Sequence, residues 1–368
     1  MHARITQVAL PGSAVRTQTR GLTGLVYKSV RGVTQGVGVS LDTALAALAP
    51  LLSSLNKDAQ RNPLPTPERE AVLAALNGVL GDHLAATANP LATPMTLRQG
   101  QQTLALNPAA LASALPQATG KVLVLVHGLC MNHLQWTRDG HDHGAALARD
   151  AGWTPLYLHY NSGLPIASNG ALLCTLLGAL QAAWPVPLQR LAIVGHSMGG
   201  LVARSAIHQA EPVPQPWLSS LTDLVCLGSP HHGAPLERAG QWLDKLLGIS
   251  SYSVAFVRLT RLRSAGITDL RDGRIVSAAE DATASFVQLP PGLRCYAIAG
   301  SLRKKPAGAH ARPLGDGLVP VDSALGRHAD PARTLAFAPS RQIVVAGTGH
   351  LGLLSSAEVY AALRSALG

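Results

Sequence analysis

The stretch Leu191-Ala-Ile-Val-Gly-His-Ser-Met-Gly-Gly200 decides the fold of this chain. An apolar run ends in the pattern Gly-x-Ser-x-Gly, in which Ser197 lies between Gly195 and Gly199, and a helical pattern follows over Met198–Ala210. A strand that turns abruptly into a helix holds the serine in a strained conformation and directs its hydroxyl into a cleft. The residues two before and two after the serine come close together, which favours glycine at both. The stretch therefore predicts a strand, a tight turn carrying a serine, and a helix.

Other parts of the chain repeat the strand pattern. Lys121-Val-Leu-Val-Leu-Val126 is a continuous apolar run, typical of a central parallel strand that is covered on both faces. Similar runs are Thr154–Tyr160, Gln189–Val194, Asp223–Leu227, Leu293–Ala299 and Arg341–Ala346, and helical patterns at Gly144–Ala151, Asn169–Trp184 and Met198–Ala210 separate the earlier ones. Alternating strands and helices predict right-handed crossovers and an open, mostly parallel sheet. In such sheets the active site lies at the carboxyl ends of the strands.

In this context the serine motif resembles that of the α/β-hydrolase superfamily, specifically its bacterial lipase/esterase branch and the inositol-deacylase-like serine hydrolases. The resemblance covers roughly residues 103–368 and implies an α/β-hydrolase fold, a mostly parallel central sheet with helices on both faces. The pair His127-Gly128, which follows a predicted strand, is similar to the family's oxyanion motif. By this resemblance the backbone amides of Leu129 and Met198 form an oxyanion hole, and His127 shapes the loop.

A serine hydroxyl is a weak nucleophile that needs a base, and the base needs an orienting carboxylate. The family order is serine, acid, histidine, so both partners are sought after Ser197. His350 follows the last predicted strand within Gly347-Thr-Gly-His-Leu-Gly352, where the superfamily places its catalytic histidine. Asp316 lies in Gly315-Asp-Gly-Leu-Val-Pro320, which resembles a segment of many bacterial lipases. The resemblance thus implies a catalytic triad of Ser197, Asp316 and His350.

Other acidic and histidine side chains are alternatives to these. Asp322 is the nearest alternative acid, whereas Asp223 precedes its strand core and is expected at the wrong end of the sheet. His328 lies in a polar segment and is expected to be solvated. The adjacent His231 and His232, in a turn similar to one that lines lipase clefts, could bind a metal, but adjacent histidines rarely converge on one ion.

The cluster His141-Asp142-His143 is a further candidate for a metal, but it offers no obvious fourth ligand and is expected to be a solvated loop. The four cysteines are far apart in sequence, so no Cys-x-x-Cys pair is present. The sequence therefore predicts neither a cofactor nor a metal.

Composition narrows the class of protein. The 368 residues are 47% hydrophobic and 14% charged, which excludes an intrinsically disordered chain. A net charge of +10 suggests a nucleic-acid partner. The basic residues are scattered, however, with Arg303-Lys304-Lys305 the densest cluster, and aromatic residues, which stack on bases, make up only 4% of the chain. No nucleic-acid partner is expected, and an anionic lipid surface is the more plausible partner for this charge.

The first residues lack the apolar core of a signal peptide, and the apolar runs over residues 170–184 and 191–203 are too short to span a bilayer. A cytoplasmic protein is expected, with peripheral membrane contact as an alternative. We divide the chain into an N-terminal helical extension, residues 1–90, and a catalytic domain, residues 91–368. An apolar stripe from Leu22 to Leu55 has helical spacing and either packs on its own domain or forms a membrane-surface or self-association face.

The long segment after His232 contains amphipathic patterns and is predicted to form a cap, residues 233–290, or else simply to cover the sheet. Triad and cap together favour a serine carboxylic-ester hydrolase, an esterase or lipase acting through an acyl-enzyme on hydrophobic small-molecule esters, lipids or polyesters. Two alternatives stay open. One is a lipid acyltransferase that uses the same acyl-enzyme, and the other is a non-catalytic binding protein on a hydrolase fold.

Overall fold

The computed structural model describes residues 67–213, 215–234, 264–277, 286–304 and 315–368. The apolar stripe from Leu22 to Leu55 and most of the predicted cap lie outside the described residues.

One sheet of eight strands organises the described part of the chain, in the order β2-β1-β4-β3-β5-β6-β7-β8. Its strands are β1 Thr96–Gln99, β2 Gln102–Thr103, β3 Lys121–Val126, β4 Thr154–His159, β5 Arg190–His196, β6 Leu221–Leu227, β7 Arg294–Ser301 and β8 Gln342–Ala346. β1 pairs antiparallel with β2 and β4, and the six strands from β3 to β8 are parallel. The predicted mostly parallel sheet is confirmed.

Helices cover both faces of this sheet. They are α1 Pro67–Ala86, α2 Pro108–Ala114, α3 His143–Ala151, α4 Ile166–Ala183, α5 Met198–Ala210, α6 Ala265–Asp272, α7 Val321–Ala324 and α8 Ala357–Leu367. Side chains of α1, α4 and α5 share one apolar core with the sheet, and side chains of α3 and α8 share the other. The arrangement is that of an α/β-hydrolase fold, as the sequence predicted.

Strand β3 shows why the sequence forms a central strand. Val122, Val124 and Val126 belong to the core under α4 and α5, while Leu123 and Leu125 belong to the opposite core. All five side chains are fully buried. Because successive side chains point to opposite faces and both faces are covered, the strand is apolar at every position rather than at alternate ones.

Helix α1 packs into the core under α4 and α5 through Val72, Leu76 and Leu84. Hydrogen bonds attach it to the rest of the domain: the Asn161 amide donates to the Gly81 carbonyl oxygen at 2.9 Å, and the Ser264 hydroxyl donates to the Gly78 carbonyl oxygen at 2.7 Å. The boundary at residue 90 therefore does not coincide with a change in packing. The extent of the N-terminal extension stays a prediction for the residues before Pro67.

Helix α4 is longer than the sequence pattern indicated. It spans Ile166–Ala183, and by length and hydropathy, 18 residues with a mean of 1.4, it is the one helix in the described residues that could cross a bilayer. This is weak evidence for a membrane span, because core helices of proteins outside membranes meet the same criteria. Here α4 packs closely on α5: a Cβ on Gly170 would lie 2.3 Å from Ser205 Oγ.

Candidate active site

Ser197 occupies the turn between β5 and α5, with φ 55° and ψ −121°. A positive φ is costly for a residue with a Cβ, so the surrounding structure must impose it. A Cβ on Gly195 would lie 2.4 Å from the Gly200 nitrogen, and a Cβ on Gly199 would lie 2.1 Å from the Val126 carbonyl oxygen. The predicted crowding is present, and at Gly199 its nearest contact is strand β3 rather than Gly195, the residue two before the serine.

Asp316 and His350 form a buried pair. His350 begins the 3₁₀ turn His350–Leu354 after β8, and its Nδ1 lies 2.7 Å from Asp316 Oδ2. The other carboxylate oxygen accepts hydrogen bonds from the backbone amides of Leu318 at 2.9 Å and Val319 at 2.8 Å. Because the carboxylate accepts, the imidazole donates from Nδ1, and the lone pair is then on Nε2.

The third residue of the predicted triad lies at the same edge of the sheet. The Ser197 amide donates to the Leu227 carbonyl oxygen at 2.8 Å. The next residue is Gly228, where a Cβ would lie 3.1 Å from Asp316 Oδ2 and 3.2 Å from His350 Nδ1. Ser197 Oγ and His350 Nε2 are both buried and have no hydrogen-bond partner among the described residues. The structure thus pairs acid with histidine, whereas the hydroxyl and the imidazole do not form a hydrogen bond.

The backbone amides of Leu129 and Met198 are the predicted oxyanion donors. Neither amide makes a hydrogen bond within the part of the chain that the structure describes. The loop that carries Leu129 runs close to the serine, since a Cβ on Gly128 would lie 3.1 Å from Ser197 Cβ. Two buried amide donors beside a serine are able to stabilise negative charge on the carbonyl oxygen of an acyl group that the serine attacks.

His127 holds this loop, as the sequence predicted. Its Nδ1 lies 2.9 Å from the Gly128 carbonyl oxygen, and its ring stacks on Tyr160 with ring centres 4.3 Å apart. The Tyr160 hydroxyl donates to the His127 carbonyl oxygen at 2.8 Å. Burial lowers the pKa of His127 to about 3, so the ring is neutral and serves the loop as a structural element.

Two residues that support the loop were not singled out in the sequence. They are Tyr160, which stacks on His127, and Ser162, whose hydroxyl accepts a hydrogen bond from the Cys130 amide at 3.0 Å. Both follow β4, in the polar segment His159-Tyr-Asn-Ser162 at the carboxyl end of a predicted strand. That position was the available signal, because ligand-facing residues of parallel sheets lie there.

The alternative acids lie elsewhere. Asp223 is near the amino end of β6, as expected, and accepts hydrogen bonds from Arg294 at 2.7 and 2.8 Å. Asp322 is half exposed, and its nearest cation is Arg327 at 3.9 Å.

The other histidine candidates have separate partners. His231 is buried against Arg204, whereas His232 Nε2 lies 3.0 Å from the Gly326 carbonyl oxygen, so the two do not face a common point. The expectation of a solvated loop is wrong for His143, which is fully buried in α3 with Nε2 2.9 Å from the Leu353 carbonyl oxygen. His143 is buried because α3 packs on the C-terminal segment. The sequence pattern around His143 does not predict that contact, since the two segments are far apart along the chain. His328 is half-buried, with His232 beside it.

A family model matches part of the chain. Residues 178–299 match the family model of the PGAP1-like alpha/beta domain, a range that includes β5, Ser197 and α5. No curated protein matches the chain.

Among solved structures, lipase BlEst2 of Bacillus licheniformis in its mature form is similar at 18% identity and a TM-score of 0.46, over 67% of this chain and 91% of that one. A lipase-esterase related protein of Clostridium acetobutylicum is similar at 12% identity and a TM-score of 0.39, over 68% of this chain and 96% of that one. The Pyrococcus furiosus esterase PF2001 is similar at 14% identity and a TM-score of 0.39, over 68% of this chain and 84% of that one. This chain is an α/β-hydrolase-fold protein whose residues 178–299 match the PGAP1-like alpha/beta domain.

Proposed function

We propose that this chain is a serine hydrolase of carboxylic esters in which Ser197, His350 and Asp316 act as nucleophile, base and orienting acid. The observation that carries the proposal is the buried Asp316–His350 pair, at 2.7 Å, at the same strand ends as the strained Ser197 turn. Two further features support it. The imidazole nitrogen that faces away from the carboxylate has no partner, and neither has the serine hydroxyl, among the described residues.

The proposed reaction uses the three side chains and the two amides in turn. Ser197 Oγ attacks the ester carbonyl carbon while His350 Nε2 accepts the hydroxyl proton, and Asp316 stabilises the imidazolium that forms. The amides of Leu129 and Met198 donate to the oxyanion of the tetrahedral intermediate. His350 then gives its proton to the departing alcohol, which leaves an acyl-enzyme. Water, deprotonated by His350, attacks this ester, and the acid is released as Ser197 regains its proton.

Hydrophobic esters, among them lipids and polyesters, are the proposed substrate class. Leu302 follows β7 and is 55% exposed, although it is a large apolar side chain. It lies against the residues next to the acid and the base: a Cβ on Gly317 would be 3.2 Å from Leu302 Cδ1, and one on Gly349 would be 3.5 Å from Leu302 Cδ2. An exposed leucine at this place gives the rim an apolar contact for an acyl chain or alcohol group.

Replacement of the serine tests the proposal. In Ser197→Ala, hydrolysis of p-nitrophenyl butyrate is expected to fall by about 10⁴-fold or more in kcat, because no acyl-enzyme can form. Labelling by a fluorophosphonate probe is expected to disappear as well. Ser229→Ala, which also removes a buried hydroxyl, is the matched control and should retain probe labelling.

Equal turnover by wild type and Ser197→Ala would refute the assignment. A folded wild type that neither reacts with the probe nor cleaves any ester in a chain-length series would favour the binding protein. Product analysis with added alcohol distinguishes the acyltransferase, because a new ester then accumulates in place of free acid.

A further inference from the structure

A second group of chemically active side chains lies away from the proposed triad. Glu70 is in the first turn of α1, His133 begins the 3₁₀ turn His133–Trp136 after β3, and His159 ends β4. All three side chains are buried, and one donor atom from each lies within 4.8 Å of the other two. They come from three separate elements, with Glu70 more than sixty residues before His133. The proposed ester hydrolysis uses none of them.

The donor atoms are spaced as ligands of one ion. His133 Nδ1 lies 3.2 Å from His159 Nδ1, within hydrogen-bond distance, and Glu70 Oε2 lies 3.7 Å from the other nitrogen of His159, Nε2. A tetrahedral zinc ion with bonds of about 2.0–2.1 Å separates its ligand atoms by about 3.4 Å. The two imidazoles already match this spacing. From a separation of 4.8 Å at most, the carboxylate needs to approach by no more than about 1.5 Å.

One side-chain cation, Arg98, lies near the two histidines. Arg98 is the charge that opposes a cation here. It is half-buried, and the Glu70 carboxylate, which attracts it, offsets part of its charge.

An unpartnered polar atom gives an independent sign of a missing ligand. The Thr96 hydroxyl is buried without a hydrogen-bond partner among the described residues. Thr96 lies directly opposite His159 in the β1–β4 pair, so the two side chains are on the same face of the sheet. Buried polar atoms are rarely left without partners, and water bound to a metal here would supply one for the Thr96 hydroxyl.

We propose that Glu70, His133 and His159 bind one divalent transition-metal ion, with Zn²⁺ the ion that best fits two imidazoles and one carboxylate. Water fills the fourth position. The ion ties α1 to β4 and to the turn that directly follows the oxyanion loop, since His133 is four residues after Leu129. Its role is to brace that loop against the N-terminal helix.

The test uses the full chain without a polyhistidine tag, stripped with EDTA and dialysed against micromolar ZnCl₂. About one zinc per chain is expected by mass spectrometry, with a rise in Tm of about 3 °C or more at saturation. Glu70→Gln and His159→Gln are expected to weaken zinc binding by at least about 10-fold. The matched control is His141→Gln, since His141 belongs to another imidazole pair, with His143 at 2.8 Å, and should leave binding unchanged.

Cobalt binding by the wild type tests the proposal even if a variant fails to fold. Wild type titrated with Co²⁺ is expected to develop the strong visible absorption of a four-coordinate ion. Zinc content equal in wild type and folded His159→Gln, a Tm that ZnCl₂ does not move, or a cobalt spectrum like that of the aqueous ion would each overturn the proposal. The three side chains would then form a metal-free polar network.

Discussion

Asp316 makes hydrogen bonds with several groups besides the His350 imidazole. One carboxylate oxygen accepts from His350 Nδ1, and the other accepts from the amides of Leu318 and Val319. In addition, the His350 amide donates to the Asp316 carbonyl oxygen at 3.0 Å. These bonds orient the imidazole and select the tautomer with its proton on Nδ1. At the scale of single residues, the site depends on this orientation because only Nε2 is then able to accept a proton from a hydroxyl.

Asp316→Asn is expected to lower kcat for p-nitrophenyl esters by about 10⁴-fold while leaving the fold intact, because an amide stabilises the wrong tautomer and no imidazolium. Steady-state kinetics and circular dichroism measure the two effects. Asp322→Asn, at the half-exposed alternative acid, should stay within about 2-fold of wild type. A larger loss in Asp322→Asn than in Asp316→Asn would reassign the acid.

At the scale of elements, the junction of β5 with α5 depends on close contact with β3. Gly199 is in the first turn of α5 and lies against the Val126 carbonyl oxygen at the end of β3. A backbone oxygen cannot rotate away as a side chain can, so any Cβ at this position forces the helix and the strand apart. The junction also carries Ser197 and the Met198 amide, so the displacement would alter the site together with the packing.

Gly199→Ala is expected to destabilise the protein by about 1–3 kcal/mol or more through overpacking, and to reduce esterase activity with it. Urea unfolding followed by fluorescence measures the change. Gly178→Ala in α4 is the control, because the nearest atom to its Cβ would be Gln215 Oε1 at 3.8 Å. There the added methyl should stabilise the helix by about 0.5–1 kcal/mol. Equal stability of the two variants would contradict the clash.

At the scale of the whole molecule, ion pairs connect the amino ends of three strands, at the end of the sheet opposite the proposed site. Asp223 is fully buried and joins Arg190 of β5 and Arg294 of β7 to β6, with Arg–carboxylate distances of 3.2 and 2.7 Å. Burial acts to raise the pKa of Asp223, but hydrogen bonds from Arg294, Thr222 and Arg190 together outweigh it and lower the pKa below 3.8. Three parallel strands are thus fastened at their amino ends.

Asp223→Asn is expected to lose about 1–3 kcal/mol of unfolding free energy at pH 7, because buried hydrogen bonds to a charged group are lost. A lowered pKa means that the stabilisation is fully present above the unfolded value, near pH 4, and disappears as the pH falls through the folded value. The gap between wild type and variant should therefore stay constant from pH 5 to 8 and shrink below pH 4, measured by urea unfolding. Glu211→Gln, at an exposed carboxylate, should show no such gap. A gap that widens on acidification would contradict the sign.

The amino-acid sequence by itself determined the six parallel strands, the helices between the earlier ones and the serine turn. These follow from apolar periodicity and from glycine spacing, which are properties of neighbouring residues. The Ser197–Asp316–His350 assignment came from motif resemblance and stays a prediction, although the structure pairs its acid with its histidine. Only the tertiary structure decided that His143 is buried, that α1 shares the core of the sheet, and that Glu70, His133 and His159 meet. Such contacts join residues far apart in sequence, and their geometry is set by how helices pack on the sheet, which no local pattern encodes.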